Sequence, residues 1–222
     1  MPEMHFRFHW KQKEWVAEFP GALFFPEASA CFLADVHLGK AEHFRKAGIG
    51  MPAIAGQKDF DALRALFSTS RPTHFFFLGD LFHSEANEAL PRFKHLLSES
   101  PQHRFTLIKG NHDILLKAQY QALGLEVQEE GHPFHDLLLG HDPAHPCRPN
   151  LAGHIHPGIR LKGSGKQSLR LPMWWIKPEQ IVLPAFGSLT GLAACKPSKQ
   201  DRILVLTDTN IVPILGPEAN VI

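Results

Sequence analysis

Short apolar runs that stop on a polar residue set the rhythm of this chain. Ala30-Cys31-Phe32-Leu33-Ala34 is uninterrupted and ends at Asp35, the mark of a strand buried on both faces. His74–Leu78 runs into Gly79-Asp80, and residues 105–108 run into Gly110-Asn111-His112-Asp113. Residues 136–139 run into Gly140-His141, and Asn150–Ala152 runs into Gly153-His154-Ile155-His156. Helical spacing lies between them. Residues 55–68 place Phe60, Leu63, Leu66 and Phe67 inward, and 86–97 do so with Leu90, Phe93, Leu96 and Leu97. A further helix is expected over 113–120. The two ends read as strands: 6–10, 15–19 and Ala22–Phe25 at the start, then 169–176, 180–184, Arg202–Leu206 and Ile211–Leu215, with 162–166 as a hairpin loop. Two β-rich ends around an α/β middle predict two packed sheets with helices outside. Ligands in α/β folds gather at the carboxyl ends of strands, and here the polar segments stand at those ends.

Composition narrows the classes. A chain of 222 residues, 44% hydrophobic and 20% charged, fits one large domain with a core that needs no disulfides. Its apolar runs are too short to cross a bilayer, and residues 1–10 lack the pattern of a signal peptide. Cys31, Cys147 and Cys195 are too few and too scattered for a zinc finger or a disulfide framework, which points to a reducing cytoplasm. A net charge of +1 excludes a globally basic nucleic-acid binder and leaves room for a local stripe. Arg160, Lys162, Lys166 and Arg170 are candidates for one, against the plain alternative of a solvated hairpin. The 15 histidines change the picture most, because several sit beside Gly, Asp or Asn at strand ends.

Carboxylate oxygen and imidazole nitrogen without thiolate suit Mn²⁺, Fe or Zn²⁺. In Asp35-Val36-His37 alternate residues of an extended segment point the same way, so both side chains are expected to reach one metal. The same argument is applied to His154 and His156. Two metals about 3.5–4 Å apart need a shared anionic ligand, and one Asp carboxylate spans that gap. Glycines beside the ligands are expected to turn the backbone and leave space for a phosphate.

The ordered set DxH, GD, GNHD, GH and GHxH, from Asp35 to His156, resembles the calcineurin-like metallophosphoesterase superfamily. That resemblance implies an α/β fold, the calcineurin-like four-layer α/β/β/α sandwich with two central mixed β-sheets, as one metallophosphoesterase domain over 1–222. It implies Asp35, His37, Asp80 and His156 on a first divalent metal ion and Asp80, Asn111, His141 and His154 on a second, with Asp80 as bridge and Mn²⁺ the leading candidate. A hydroxide held by the metals would attack phosphorus in line, and His112 would bind a phosphoryl oxygen or protonate the leaving group. Asp35-Val36-His37-Leu38-Gly39-Lys40 with Phe44-Arg45, Gly48 and Pro52 resembles more closely the bacterial ligase-associated DNA damage response endonucleases of the PdeM family. Gly79-Asp80-Leu81-Phe82-His83-Ser84 and Leu183-Pro184-Ala185-Phe186-Gly187 share that likeness. It implies a nuclease acting on DNA in repair, with a DNA ligase, a helicase and an exonuclease as partners and no membrane. Many superfamily members carry Asp three residues after the GD aspartate, where it orients the motif histidine. This chain has His83 there.

Plainer readings stand beside these. Asp35 can simply end a strand, Asn111 can cap the helix expected at 113–120, and His112 can pair with Asp113. Lys40, Arg45, Arg160 and Lys162 are candidate substrate contacts, and His83 and Asp113 candidate supports. One of Trp174 and Trp175 should be core and the other is a candidate base-stacking platform. Two other functions remain open: a phosphodiesterase or phosphatase for a small or cyclic nucleotide, and a non-catalytic scaffold of the same fold. The complete ligand set and His112 argue against the scaffold.

Overall fold

The computed structural model describes residues 4–69, 71–83, 88–144, 149–162 and 167–215. His145, Cys147, Lys166 and the loop at 163–166 fall outside them. Two mixed sheets form the frame. The first is laid down in chain order: β1 (His5–Trp10), β2 (Lys13–Glu18), β3 (Ala22–Phe25), β4 (Ala30–Leu33), β5 (His74–Leu78), β6 (Arg104–Ile108) and β7 (Glu126–Gln128). Its first four strands are antiparallel. From β4 onward the strands are parallel, because helices make the crossovers. The second sheet contains β8 (His132–Phe134), β9 (Leu137–Leu139), β10 (Asn150–Ala152), β11 (Pro157–Lys162), β12 (Ser168–Ile176), β13 (Gln180–Val182), β14 (Ala193–Ala194), β15 (Arg202–Leu206) and β16 (Ile211–Leu215). Its order is β14-β11-β12-β13-β10-β9-β8, with β15 beside β12 and β16 beside β15.

Alternation within each apolar run sorts side chains into two cores. In β5, Phe75 and Phe77 face helices α2 (Gln57–Phe67), α3 (Ala89–Ser98) and α4 (Lys117–Leu123), while Phe76 and Leu78 face the second sheet. Uninterrupted apolar strands are the consequence of this two-sided burial. Phe32 stacks on Phe76 at 5.3 Å, and the layer between the sheets also holds Trp174, Ile181 and Leu204. Phe76→Ala there would cost about 3–5 kcal/mol. The α/β class and the two mixed sheets match the expectation. Of the two helical layers in the α/β/β/α order, the described residues supply one. The other face of the second sheet carries a smaller cluster around Met173, Ile203 and Val205.

Local differences have physical causes. A short helix α1, Lys40–Lys46, was not anticipated, and it starts from Gly39 in the left-handed region at φ 86°. The helix expected at 113–120 begins only at Lys117. Asp113 instead turns its carboxylate back onto the N–H groups of Gly110, Asp80 and Leu81, so the chain cannot enter a helix there and Asn111 does not cap one. Trp174 is fully buried. Trp175 donates to Asp201 Oδ2 (2.8 Å) and lies under the Lys177 ammonium, so its ring is already engaged and is no open stacking platform.

Parallel register places the working ends together. Leu33 pairs with Phe77 and Leu78 with Ile108, so β4, β5 and β6 finish at the same edge. In the second sheet β9 and β10 are parallel as well. Backbone bonds then lock the ends: Asp35 N donates to Gly79 O, His37 N to Asp80 O, and Gly153 N to His141 O.

Candidate metal centre

Asp35, His37 and His156 form one group, and Asp80, His141 and His154 form a second. Within each, one ligand atom per residue lies within 4.8 Å of the others. Asp80 stands where the groups meet. Its Oδ2 is 3.8 Å from His37 Nε2 and its Oδ1 is 3.3 Å from His141 Nε2. Asn111 Oδ1 and His154 Nδ1 each come within 3.0 Å of the same His141 Nε2. His37 Nε2 and His156 Nε2 are 3.4 Å apart, and Asp35 Oδ1 is 3.3 Å from His156 Nε2.

The backbone brings these atoms together in a way that strand alternation does not describe. Asp35, His37, Asp80, His154 and His156 all have positive φ, between 47° and 68°. That region costs an L-residue about 1–2 kcal/mol, and Asp and His tolerate it better than most. Asp35 and His37 therefore do not lie on an extended segment, contrary to expectation. Both sit on successive left-handed kinks, with Val36 turned into the core between them. His154 and His156 separate on the same principle, one into each group. Strain of this kind persists where surrounding bonds over-determine it. Here His154 N donates to Asp35 Oδ2 at 2.8 Å and His112 N to Asp80 Oδ1 at 3.0 Å.

Two glycines make room for the ligands rather than for a phosphate. A Cβ on Gly79 would stand 2.2 Å from His141 Nδ1, and one on Gly110 would stand 2.5 Å from Asp80 Oδ1.

The donor set fits divalent cations. His141 Nδ1 lies 2.9 Å from Leu78 O and His156 Nδ1 lies 3.2 Å from Gly191 O. Each carbonyl accepts an N–H and so leaves the Nε2 lone pair facing the centre, the tautomer a metal requires. Asp35 is fully buried, yet its Oδ1 has no hydrogen-bond partner among the described residues. An ionised oxygen in that position calls for a cation. The charges of the site act on one another strongly. Burial presses His141 down, but the hydrogen bond to Asp80 and the charges of Asp35 and Asp80 outweigh it and raise it to about 9. Burial pushes Asp80 up, and its bond to His141 overcomes that and leaves it near about 2. Burial dominates at His37, which falls to about 3. Two metal ions would supply the positive charge without any proton.

The remaining candidates divide. Asp113 is buried beneath Asp80 and supports it. His112 is exposed, with its ring 5.7 Å from that of His37. His83 lies 6.2 Å from the His112 ring and 5.7 Å from His37. Burial, with Lys40, His43 and His112 around it, lowers His83 to about 4. Lys40 is half-buried in the field of Asp35 and Asp80. Arg45 turns to Glu42 Oε1 (3.2 Å) and Pro52 O (3.3 Å), so it is held on its own surface. Arg160 and Lys162 are exposed along β11, with Arg160 opposite Arg170.

Sequence reasoning missed Glu130, whose Oε2 accepts His141 N at 2.7 Å, and the Gly191 carbonyl. It also missed His43, whose ring packs 4.7 Å from His83. No motif marks them. Each reaches the centre through chain folding rather than spacing.

Two adjoining Asp–His groups at converging strand ends of a two-sheet α/β sandwich define a metallophosphoesterase. Residues 29–160 match the family model described as calcineurin-like phosphoesterase, and the chain belongs to that family. No curated protein sequence matches the chain. Among solved structures it is similar to the Pseudomonas putida nuclease MPE, with a TM-score of 0.78 and 25% identity over 94% of this chain and 99% of that one. No helix among the described residues is long and apolar enough to cross a membrane.

Proposed function

We propose that this protein is a two-metal phosphodiesterase that hydrolyses DNA as a nuclease. The observation that carries the reading is the position of the Asp80 carboxylate, one oxygen toward His37 and the other toward His141. Asp35, His37 and His156 would hold one divalent ion, Asn111, His141 and His154 the other, and Asp80 both. Ions held there would supply a water of lowered pKa and positive charge beside the phosphoryl oxygens. The oxygen and nitrogen donors favour Mn²⁺, with Fe and Zn²⁺ as alternatives.

The chain's own residues do the rest. Asp113 fixes the loop that presents Asp80. His112 Nε2 or Nδ1 is the proton donor at the leaving oxygen, or holds a phosphoryl oxygen. Lys40 adds positive charge beside the first group. Arg160 and Lys162 receive the strand's backbone. DNA as substrate is supported by likeness to the Pseudomonas putida nuclease MPE and by the exposed cations on β11 and β12. A role in DNA repair alongside a ligase, a helicase and an exonuclease is the setting proposed for it, in the cytoplasm.

The test is hydrolysis of single-stranded DNA, duplex DNA and cyclic nucleotides under added Mn²⁺. The reading expects metal-dependent cutting of DNA. Turnover of cyclic nucleotides with DNA left intact would replace it with a small-nucleotide phosphodiesterase.

A further inference from the structure

A cavity of ≈ 700 Å³ contains none of the grouped Asp and His residues. It lies behind segment 185–192, and that segment has two working sides. On one side Gly187 N donates to Asp35 O (3.1 Å) and Gly191 O accepts from His156 Nδ1 (3.2 Å). On the other, Ser188, Thr190 and Leu192 form cavity wall. Leu192 also sits against Gly158, where an added Cβ would meet it at 2.9 Å, two residues from His156. The cavity and the first metal group are thus a single chain thickness apart.

Its lining combines apolar walls with charged side chains. The volume falls within the range of about 300–1,000 Å³ for small-molecule sites. Phe19, Leu169 and Leu171 give it apolar walls. Lys58 and Arg170 bring positive charge, and among the described residues neither has an ion-pair partner. Arg170 donates to Leu192 O at 3.4 Å, which holds it against the cavity wall. Two carboxylates also line it. Asp59 is buried and engaged with Ser188 N (2.9 Å), and Asp208 sits in the turn between β15 and β16. Across the β11–β12 pair Arg170 faces Arg160, with Lys162 two residues further along the same face. A cationic face therefore runs out from the cavity, as single-strand binders combine a positive track with an aromatic platform.

We propose that this cavity receives one nucleobase of the strand that flanks the scissile phosphate, with Phe19 as its stacking face and Lys58 and Arg170 on the adjoining phosphates. The inference rests on the nuclease reading and adds a base-binding subsite to it.

The experiment uses the full chain with Mn²⁺ and a single-stranded oligonucleotide blocked at all linkages but one. A single abasic residue is moved one position at a time on either side of the cleavable bond. At one position KM should rise between about 5- and 150-fold, the range expected for a lost base–aromatic stack. Phe19→Leu, which keeps apolar volume and removes the ring, should raise KM on the intact oligonucleotide by a similar factor. On the substrate abasic at that position it should add almost nothing. Arg170→Gln, at an exposed position, guards against a folding defect in Phe19→Leu; it should raise KM and reduce the magnitude of the log–log salt slope by about 0.7. A flat abasic series with the oligonucleotide still cut overturns the subsite and leaves the nuclease reading intact. So do penalties from Phe19→Leu and the abasic residue that simply multiply. An intact oligonucleotide beside rapid hydrolysis of a small chromogenic diester overturns the nuclease reading and this inference with it.

Discussion

Asp113 Oδ2 accepts the backbone N–H of Asp80 at 2.7 Å, so the last residue of the GNHD segment fixes the residue that joins the two metal groups. The same carboxylate takes Gly110 N (2.9 Å), Leu81 N (3.1 Å) and the Tyr120 hydroxyl (3.4 Å). Asp113→Ala would strand several buried donors, each at a cost of about 1–3 kcal/mol. The expected outcome is a loss of at least about 3 kcal/mol in denaturant unfolding, with lower metal content in the protein that remains folded. Native-like stability and two bound metals in Asp113→Ala would remove this role.

Asp80 and His141 separate bridge from terminal ligand. Asp80→Asn should weaken both sites and depress turnover far more than His141→Ala, because the lost charge served both ions. Metal analysis and turnover for the two variants check this. Two tightly held metals and near-normal rate in Asp80→Asn would return Asp80 to a single site.

Much of this was legible in the sequence, because buried strands are continuous apolar runs and their ends are polar. His74–Leu78 appears in the fold with its expected bounds, and the polar segments that follow the five runs do converge. What was not legible depends on distant parts of the chain. The left-handed φ of Asp35 and His37 arises from backbone bonds to the ends of β5, which no local spacing encodes. The late start of α4 accompanies the Asp113 carboxylate accepting from the N–H groups of Asp80, Leu81 and Gly110 instead of serving a first helical turn. Arg45 looks available in the sequence, and its neighbours Glu42 and Pro52 claim it.

His112 is assigned to the transition state and not to a metal. His112→Ala should keep its metals and lose about 10²–10⁴-fold in turnover, the usual contribution of a proton donor. An ester with a good leaving group should lose less. Equal losses on good and poor leaving groups would make His112 a phosphate-positioning residue instead. His83→Ala should cost less than His112→Ala, since its ring centre is 6.2 Å from that of His112.

His74 gives stability a pH dependence away from the metal centre. Burial first, then the Arg104 charge, lowers it from 6.5 to about 4, while it bonds Thr106 Oγ1 at 2.7 Å. The unfolded chain binds this proton more readily, so its contribution is fully present above about 6.5 and is lost as pH falls toward about 4. His74→Gln keeps a hydrogen-bonding group and removes the titration. Unfolding midpoints at pH 7.5 and pH 5 should therefore differ less in His74→Gln than in the parent. An unchanged difference would exclude His74 as a source of acid sensitivity.

The last expectation concerns what the rim holds. A nuclease must grip a polyanion, whereas a small-nucleotide hydrolase need not. Arg160 and Lys162 share one face of β11 and lead away from His156. At about 3.3 Å per residue they stand roughly 13 and 20 Å along the strand from that ligand, beyond the reach of a small diester and within that of a strand. DNA binding should then weaken with salt at a log–log slope near −0.7 per contacted phosphate for single strands. Replacing both residues with Ala should reduce the magnitude of that slope by up to about 1.4. Hydrolysis of a small chromogenic diester should change far less than DNA cutting does, because such a substrate ends before it meets either side chain. Filter binding across a salt series, read beside the two hydrolysis rates, separates the cases. An unchanged slope would take Arg160 and Lys162 out of the DNA path. Equal losses on DNA and on the small diester would mean that the substitutions disturb the metal centre through β11, since Pro157 follows His156 directly and any shift of the strand is carried to that ligand.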